Sequence, residues 1–123
     1  MNLTIALNAR DKKVLCLVGP TAVGKTEISL HLAEQLGGEI VSADSRQVYK
    51  YLNIGTAKPT AKELARVPHH FIDIREPDQY YSAGEYGREA RACIENLFAK
   101  EKTPIVVGGS GFYIQALVDG LFA

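Results

Sequence analysis

Val14-Leu15-Cys16-Leu17-Val18-Gly19-Pro20-Thr21-Ala22-Val23-Gly24-Lys25-Thr26 is the stretch that decides the fold. Its first five residues form an unbroken apolar run, the pattern of a strand buried on both faces of a parallel sheet. The next eight fill the pattern Gly-x-x-x-x-Gly-Lys-[Ser/Thr], a phosphate-binding loop when a strand precedes it and a helix follows. Glycines let consecutive backbone N–H groups turn inward and let phosphate oxygens approach without a Cβ in the way. The N-terminus of the following helix adds partial positive charge. Gly19, Pro20, Thr21, Ala22, Val23, Gly24, Lys25 and Thr26 are therefore the candidate di- or triphosphate site. Lys25 would set an ammonium on the terminal phosphate, and the Thr26 hydroxyl would ligate Mg²⁺. The bland alternative is a mere turn, which would not need this residue set between a strand and a helix.

A helix is expected from Lys25 to Leu36, with Ile28, Leu32 and Leu36 recurring every four residues and Gly37-Gly38 ending it. Glu39-Ile40-Val41-Ser42 reads as a second strand. Residues 43–81 are irregular, apart from a short helix opened by a capping box of Thr60 and Glu63 and stopped by Pro68, and an extended piece over 71–74. Ser82 with Glu85 opens another helix, running to about Lys100, with Tyr86, Ala90, Cys93, Ile94 and Leu97 as its buried stripe. Pro104-Ile105-Val106-Val107 is a third strand. Gly108-Gly109-Ser110-Gly111 leads from it into a helix over 112–118, with Gly120 as C-cap. This alternation gives the α/β class, a P-loop three-layer fold with a parallel sheet of which three strands are visible. Residues 1–13 read as a mobile or edge-packing tail, and 14–123 as one P-loop domain. A strand feeding a P-loop normally has a neighbour on each side, and the third strand supplies only one. The chain therefore reads as the front portion of a longer protein.

The bulk composition is that of an ordinary globular protein, with 46% hydrophobic and 23% charged residues and no formal net charge. Composition alone announces no nucleic-acid partner. Charge is uneven, however: residues 44–75 carry six basic and three acidic side chains, and residues 76–123 four basic and seven acidic. A basic middle could meet a polyanion, yet three net charges more often mean only a solvated face. No apolar run approaches the roughly 20 residues of a membrane helix, and the N-terminus has no signal-peptide pattern. Cys16 and Cys93 sit in apolar periodic segments and read as free buried thiols, as in a reducing cytoplasm. Adjacent His69 and His70 would diverge rather than chelate one metal. Tyr49, Tyr51, Tyr80, Tyr81 and Tyr86 offer rings for base stacking or for packing.

A nucleotide hydrolase would place an acid at the end of a later strand to hold the Mg²⁺ water shell. Here that strand ends in Gly108-Gly109-Ser110-Gly111, with a hydroxyl and small backbone instead. The acid best placed is Asp44, after the second strand, at the sheet edge on which the P-loop also opens. An Asx-turn is the structural alternative for Asp44.

GPTAVGKT, VSADSRQVYKYLNIGTAKPT, PHHFIDIREPDQYYSAGEY and VVGGSGFYIQALVDGL together resemble the tRNA dimethylallyltransferase (tRNA isopentenyltransferase) family, from Val14 to the C-terminus and in order. Adenylate isopentenyltransferases share the P-loop and the later Asp; the Gly55-Thr56-Ala57-Lys58-Pro59 run is closer to the tRNA-modifying branch. The resemblance implies transfer of a dimethylallyl group from its diphosphate to N6 of the adenine beside the anticodon, releasing pyrophosphate. It implies diphosphate on residues 19–26, Mg²⁺ on Thr26, Asp44 as general base, and catalytic roles for Lys25 and Ser110. Asp44, Ser45, Arg46, Gln47 and Ser110 would meet the anticodon arm of tRNA. Many members carry Thr where Ser110 stands. The family is longer than this chain, so the chain alone is expected to lack turnover, and the whole protein to be a cytoplasmic monomer.

Two other readings use the same residues. A small-molecule P-loop kinase of the shikimate or gluconate type would bind ATP-Mg²⁺ at Lys25 and Thr26. A non-catalytic nucleotide-binding piece would need only the loop.

Overall fold

The computed structural model describes residues 2–7, 12–18, 25–52 and 58–121. The sheet is built from β1 (Asn2–Leu7), β2 (Lys13–Val18), β3 (Gly38–Ser42), β4 (His69–His70) and β5 (Thr103–Gly108), and the helices are α1 (Lys25–Leu36), α2 (Ala61–Arg66), α3 (Ala83–Ala99) and α4 (Gly111–Leu121). The strand order is β1-β2-β5-β3-β4. All neighbours are parallel except β1, which runs antiparallel to β2.

The alternation of side chains along the buried strands assigns the two faces. Val14 and Cys16 of β2 join Val41 and Val106 under α3 and α4, with Tyr86, Ile94, Leu97, Tyr113 and Leu117 closing that core. Leu15 and Leu17 point the other way, to Ile40, Ile105 and α1 residues Leu30 and Ala33. The result is three layers, helix–sheet–helix. Each fully buried Leu or Ile contributes about 1.5–3 kcal/mol of transfer free energy.

Several expectations change on contact with this structure. The sheet has five strands rather than three, and the segment read as a tail includes an edge strand that covers β2 opposite β5. The edge expected to lack a neighbour, since the third strand covers only one side, is thus filled by a strand from within the first 13 residues. The row Ile28, Leu32, Leu36 is not the buried face of α1: Ile28 and Leu36 are exposed, while Leu30 and Ala33 are buried. Four residues overshoot the turn of about 3.6 residues, so an i, i+4 row winds off the core. Gly120 does not cap α4. It lies within the helix, where a Cβ would sit 1.9 Å from Arg91 Nη1. The extended piece is β4 at His69–His70 together with a bridge from Tyr49 to Arg75, rather than residues 71–74.

The local signals hold. Thr60 accepts from Glu63 N while Glu63 Oε1 accepts from Thr60 N, a complete capping box. Ser82 Oγ accepts from Glu85 N at 3.0 Å. Gly37 ends α1 with φ 62°, a left-handed turn that glycine adopts without a Cβ penalty.

Candidate active site

Three strands deliver the candidate residues to one sheet edge. Register pairs Val18 of β2 with Gly108 of β5, and Val107 of β5 with Ser42 of β3. The chain leaving β2 enters the glycine loop, the chain leaving β5 reaches Ser110, and the chain leaving β3 reaches Asp44. All three strands are parallel, so these exits share the carboxyl edge where open α/β sheets hold ligands. Gly19, Pro20, Thr21, Ala22, Val23 and Gly24 themselves lie outside the described residues. Lys25 and Thr26 form the first turn of α1, directly after the loop.

Asp44 and Ser110 are drawn together through Ala43. Ala43 N–H donates to Val107 O at 2.8 Å, and Ser110 N–H donates to Ala43 O at 3.2 Å. Gly108 permits this closeness, since a Cβ there would lie 2.2 Å from Ala43 O. The small backbone noted at this strand end is thus taken up, at Gly108, by the close approach of the chain leaving β3.

Asp44 does form the Asx-turn offered as its structural alternative. Oδ1 accepts from Arg46 N–H at 2.8 Å and from Gln47 N–H at 3.3 Å. One oxygen is thus bound to backbone, and the carboxylate orientation is fixed. Among the described residues Oδ2 has no hydrogen bond, so the turn and a chemical role are compatible. Ser45, Arg46 and Gln47 follow within the same turn. Arg46 is exposed, while Gln47 Oε1 accepts from the buried Ser42 hydroxyl at 3.1 Å.

Behind the Asp44 turn stands an aromatic wall. Tyr86 and Tyr113 stack with centroids 4.5 Å apart, and Tyr81 meets Tyr113 edge-on at 6.0 Å. Tyr113 donates its hydroxyl to Tyr81 O at 2.8 Å. Burial, reinforced by neighbouring Tyr49, Tyr80, Glu85 and Asp44, pushes the Tyr113 phenol up to about 12. Arg75 lies 4.4 Å above the Tyr81 ring and pairs with Glu89. Of the five tyrosines noted for stacking, Tyr81 and Tyr86 are core, and Tyr51 and Tyr80 are exposed at 76% and 84%. Tyr49 is half-buried and accepts from Tyr81 N–H.

The histidines diverge as expected. His69 Nδ1 contacts Val67 O at 2.7 Å, and His70 Nε2 contacts Glu39 Oε1 at 2.8 Å. No cluster of three His, Cys, Asp or Glu side chains suits a metal among the described residues. A hydroxyl stands at the start of α1 on Thr26, whose carbonyl accepts from Ser29 Oγ at 2.7 Å. Hard oxygen ligands of this kind, completed by phosphate oxygens and water, are what Mg²⁺ takes in phosphate sites. Both cysteines are free, and no described helix is long and apolar enough to cross a membrane.

A family profile described as IPP transferase matches residues 47–123. The chain belongs to the IPP transferase family. It is 57% identical over 108 residues to a tRNA dimethylallyltransferase of Halorhodospira halophila, covering 88% of this chain and 35% of that protein. A second tRNA dimethylallyltransferase, from Desulfosudis oleivorans, is 54% identical, again with 35% of its length covered. The full-length tRNA isopentenylpyrophosphate transferase of Bacillus halodurans superposes with a TM-score of 0.81 at 45% identity, covering 85% of this chain and 35% of that one. A eukaryotic dimethylallyltransferase solved acting on tRNA matches with a TM-score of 0.78 at 36% identity, covering 83% of this chain and 25% of that one. This IPP transferase chain thus has the P-loop α/β fold and spans 35% of the length of these two curated relatives. The small-molecule kinase reading has no counterpart among these matches.

Proposed function

We propose that the chain carries the diphosphate-holding and proton-accepting part of a tRNA dimethylallyltransferase. The observation that carries this reading is the register across β5, which sets the exit to the glycine loop on one side and Asp44 on the other. A leaving group and an attacking nitrogen need to be held that way, on either side of the carbon that changes partners.

In the proposed step the exocyclic N6 of adenine bonds to the allylic carbon as the bond from that carbon to the diphosphate oxygen breaks. Pyrophosphate departs with the bonding electrons. Loop amides of residues 19–24 and the ammonium of Lys25 would stabilise its charge. Magnesium, held by Thr26 and phosphate oxygens, would supply further charge neutralisation when bound.

Asp44 would take the N6 proton. A carboxylate is too weak a base to deprotonate a neutral aryl amine beforehand. It accepts a hydrogen bond from N6–H and receives the proton as the new C–N bond makes the nitrogen acidic. Oδ1 is committed to the turn, so Oδ2 is the receiving atom in this reading. The adenine must leave its stack at a cost of a few kcal/mol, and Ser45, Arg46, Gln47 and Ser110 are the proposed contacts to the tRNA around it.

Binding measured by calorimetry tests the reading on this chain. Dimethylallyl diphosphate with Mg²⁺ is expected to bind in preference to ATP-Mg²⁺, and Lys25→Ala to abolish that binding. A clear preference for ATP would overturn it.

A further inference from the structure

Lys58 belongs to the Gly55-Thr56-Ala57-Lys58-Pro59 run, to which the phosphate and carboxylate chemistry gives no work. Its Nζ lies 2.6 Å from Tyr49 O and 2.5 Å from Asp73 Oδ1. The Lys58 side chain is only 8% exposed, whereas Asp73 is 49% exposed. A buried ammonium therefore joins two stretches that are far apart in sequence.

Those stretches are also laced by backbone. Asp73 N–H donates to Gln47 O at 2.9 Å, Ile74 and Arg75 N–H both donate to Val48 O, and Lys50 N–H donates to Arg75 O. Phe71 and Asp73 sit in the left-handed region, at φ 70° and 56°. Non-glycine residues keep that conformation only where surrounding contacts over-determine it. Phe71 is held by burial against Tyr86, 5.3 Å between ring centroids. Asp73 is held by Lys58. Gln47 is the junction to the site: its carbonyl receives Asp73 N–H, and its own N–H donates to Asp44 Oδ1.

We infer that Lys58 is a positioning residue for Asp44, acting through Asp73, Tyr49 and the backbone of Gln47. The ammonium fixes the 71–75 segment, that segment fixes the turn over 45–48, and the turn fixes the carboxylate. Lysine suits the place because its compact head carries three donors and can satisfy a carbonyl and a carboxylate together. The consequence for turnover rests on the reading of Asp44 as proton acceptor; the mechanical link does not.

Amide hydrogen exchange on this chain separates the two. Lys58→Met keeps the stem and removes the donors. It is expected to speed exchange at Gln47, Lys50 and Asp73 by about tenfold, the size of one lost hydrogen bond, while Ile94 and Leu97 of α3 stay unchanged. Lys58→Arg should restore part of the protection, and in protein with transfer activity Lys58→Met should lower kcat without raising KM for dimethylallyl diphosphate. Unchanged exchange at Gln47, or equal acceleration in α3, would overturn the inference. Should Lys58→Met fail to fold, Asp73→Asn weakens the same contact at an exposed carboxylate and is expected to show the same local pattern; its absence counts against the link. If the exchange pattern appears but Asp44→Asn leaves transfer intact, the proton-acceptor reading falls and the strut stands.

Discussion

The backbone N–H of Ser110 donates to the carbonyl of Ala43 at 3.2 Å, so the loop leaving β5 is fastened to the residue just before Asp44. A backbone hydrogen bond therefore joins two candidate site segments that are far apart in sequence. Gly108 is the condition for this, because a methyl group there would meet Ala43 O at 2.2 Å and the Ala43 carbonyl carbon at 2.5 Å. Both contacts are backbone and cannot rotate aside. Gly108→Ala should destabilise the chain by about 1–3 kcal/mol and shift the amide resonances of Asp44 and Ser110. A melting midpoint equal to the parent's would show that β3 and β5 can separate freely at that end.

Asp44 holds two jobs that substitution can separate. Asn keeps an oxygen to accept from Arg46 N–H and Gln47 N–H but removes the charge. Ala removes both. Asp44→Asn should melt close to the parent, and Asp44→Ala lower by about 1 kcal/mol, as for loss of a cap. Both should abolish dimethylallyl transfer wherever transfer is measurable. Retained transfer in Asp44→Asn would remove the carboxylate from the chemistry.

The stacked pair Tyr86 and Tyr113 should respond to hydroxyl removal in opposite directions. Tyr86 carries a buried hydroxyl with no hydrogen-bond partner among the described residues. Tyr86→Phe should therefore be neutral or stabilising by up to about 1 kcal/mol. Tyr113→Phe strands the buried carbonyl of Tyr81 and should cost about 1–2 kcal/mol. Chemical denaturation of both variants gives the comparison, and equal losses would contradict it.

Stability should fall at both ends of the pH range. Burial holds His69 below its ordinary 6.5, partly offset by its contact with Val67 O. The unfolded chain then takes the proton first, so stability present above pH 6.5 is lost as pH falls below it. Burial pushes the Cys93 thiol from 9.0 up to about 11. That contribution is complete below pH 9 and is lost between 9 and 11. A melting midpoint that is flat from pH 9 to 11 would dissociate Cys93 from the alkaline limb, and Cys93→Ala should reduce that limb's slope.

Removing residues 1–7 should convert β2 into an exposed edge of Val, Leu and Cys residues. Unpaired apolar edges template association with other chains. Light scattering should register self-association of the truncated chain at concentrations where the parent does not associate; identical scattering would show the edge to be harmless.

What the sequence made legible was local. The capping box at Thr60, the N-cap at Ser82, the Gly37 stop and the α3 stripe each depend on residues a turn apart. Each appears as read, except that Cys93 is half-buried and Glu85 bonds the Ser82 hydroxyl rather than its N–H, so the box read there is half formed. The glycine motif and Asp44 were visible because strand, loop and acid follow a known order on a parallel sheet. What escaped was non-local. The β1 pairing depends on an edge left open by the rest of the sheet, and the Gly108–Ala43 approach on strands more than 60 residues apart in sequence. Lys58 looked like a solvent charge because nothing near it in sequence shows that Asp73 comes back to meet it. Ile28 and Leu36 misled for the converse reason: a regular apolar row was taken as a face before the sheet had fixed which side of α1 it covers.

The antiparallel partnership of β1 and β2 also bears on the order of events during synthesis. Leu15 pairs with Ile5 on one side and with Ile105 on the other. The first contact closes a short loop, and the second must wait until residue 105 has left the ribosome. Closing the long loop costs more chain entropy, and non-local pairing is correspondingly slow. A nascent hairpin would thus shield the strand that feeds the glycine loop through the interval when its permanent parallel neighbour does not yet exist.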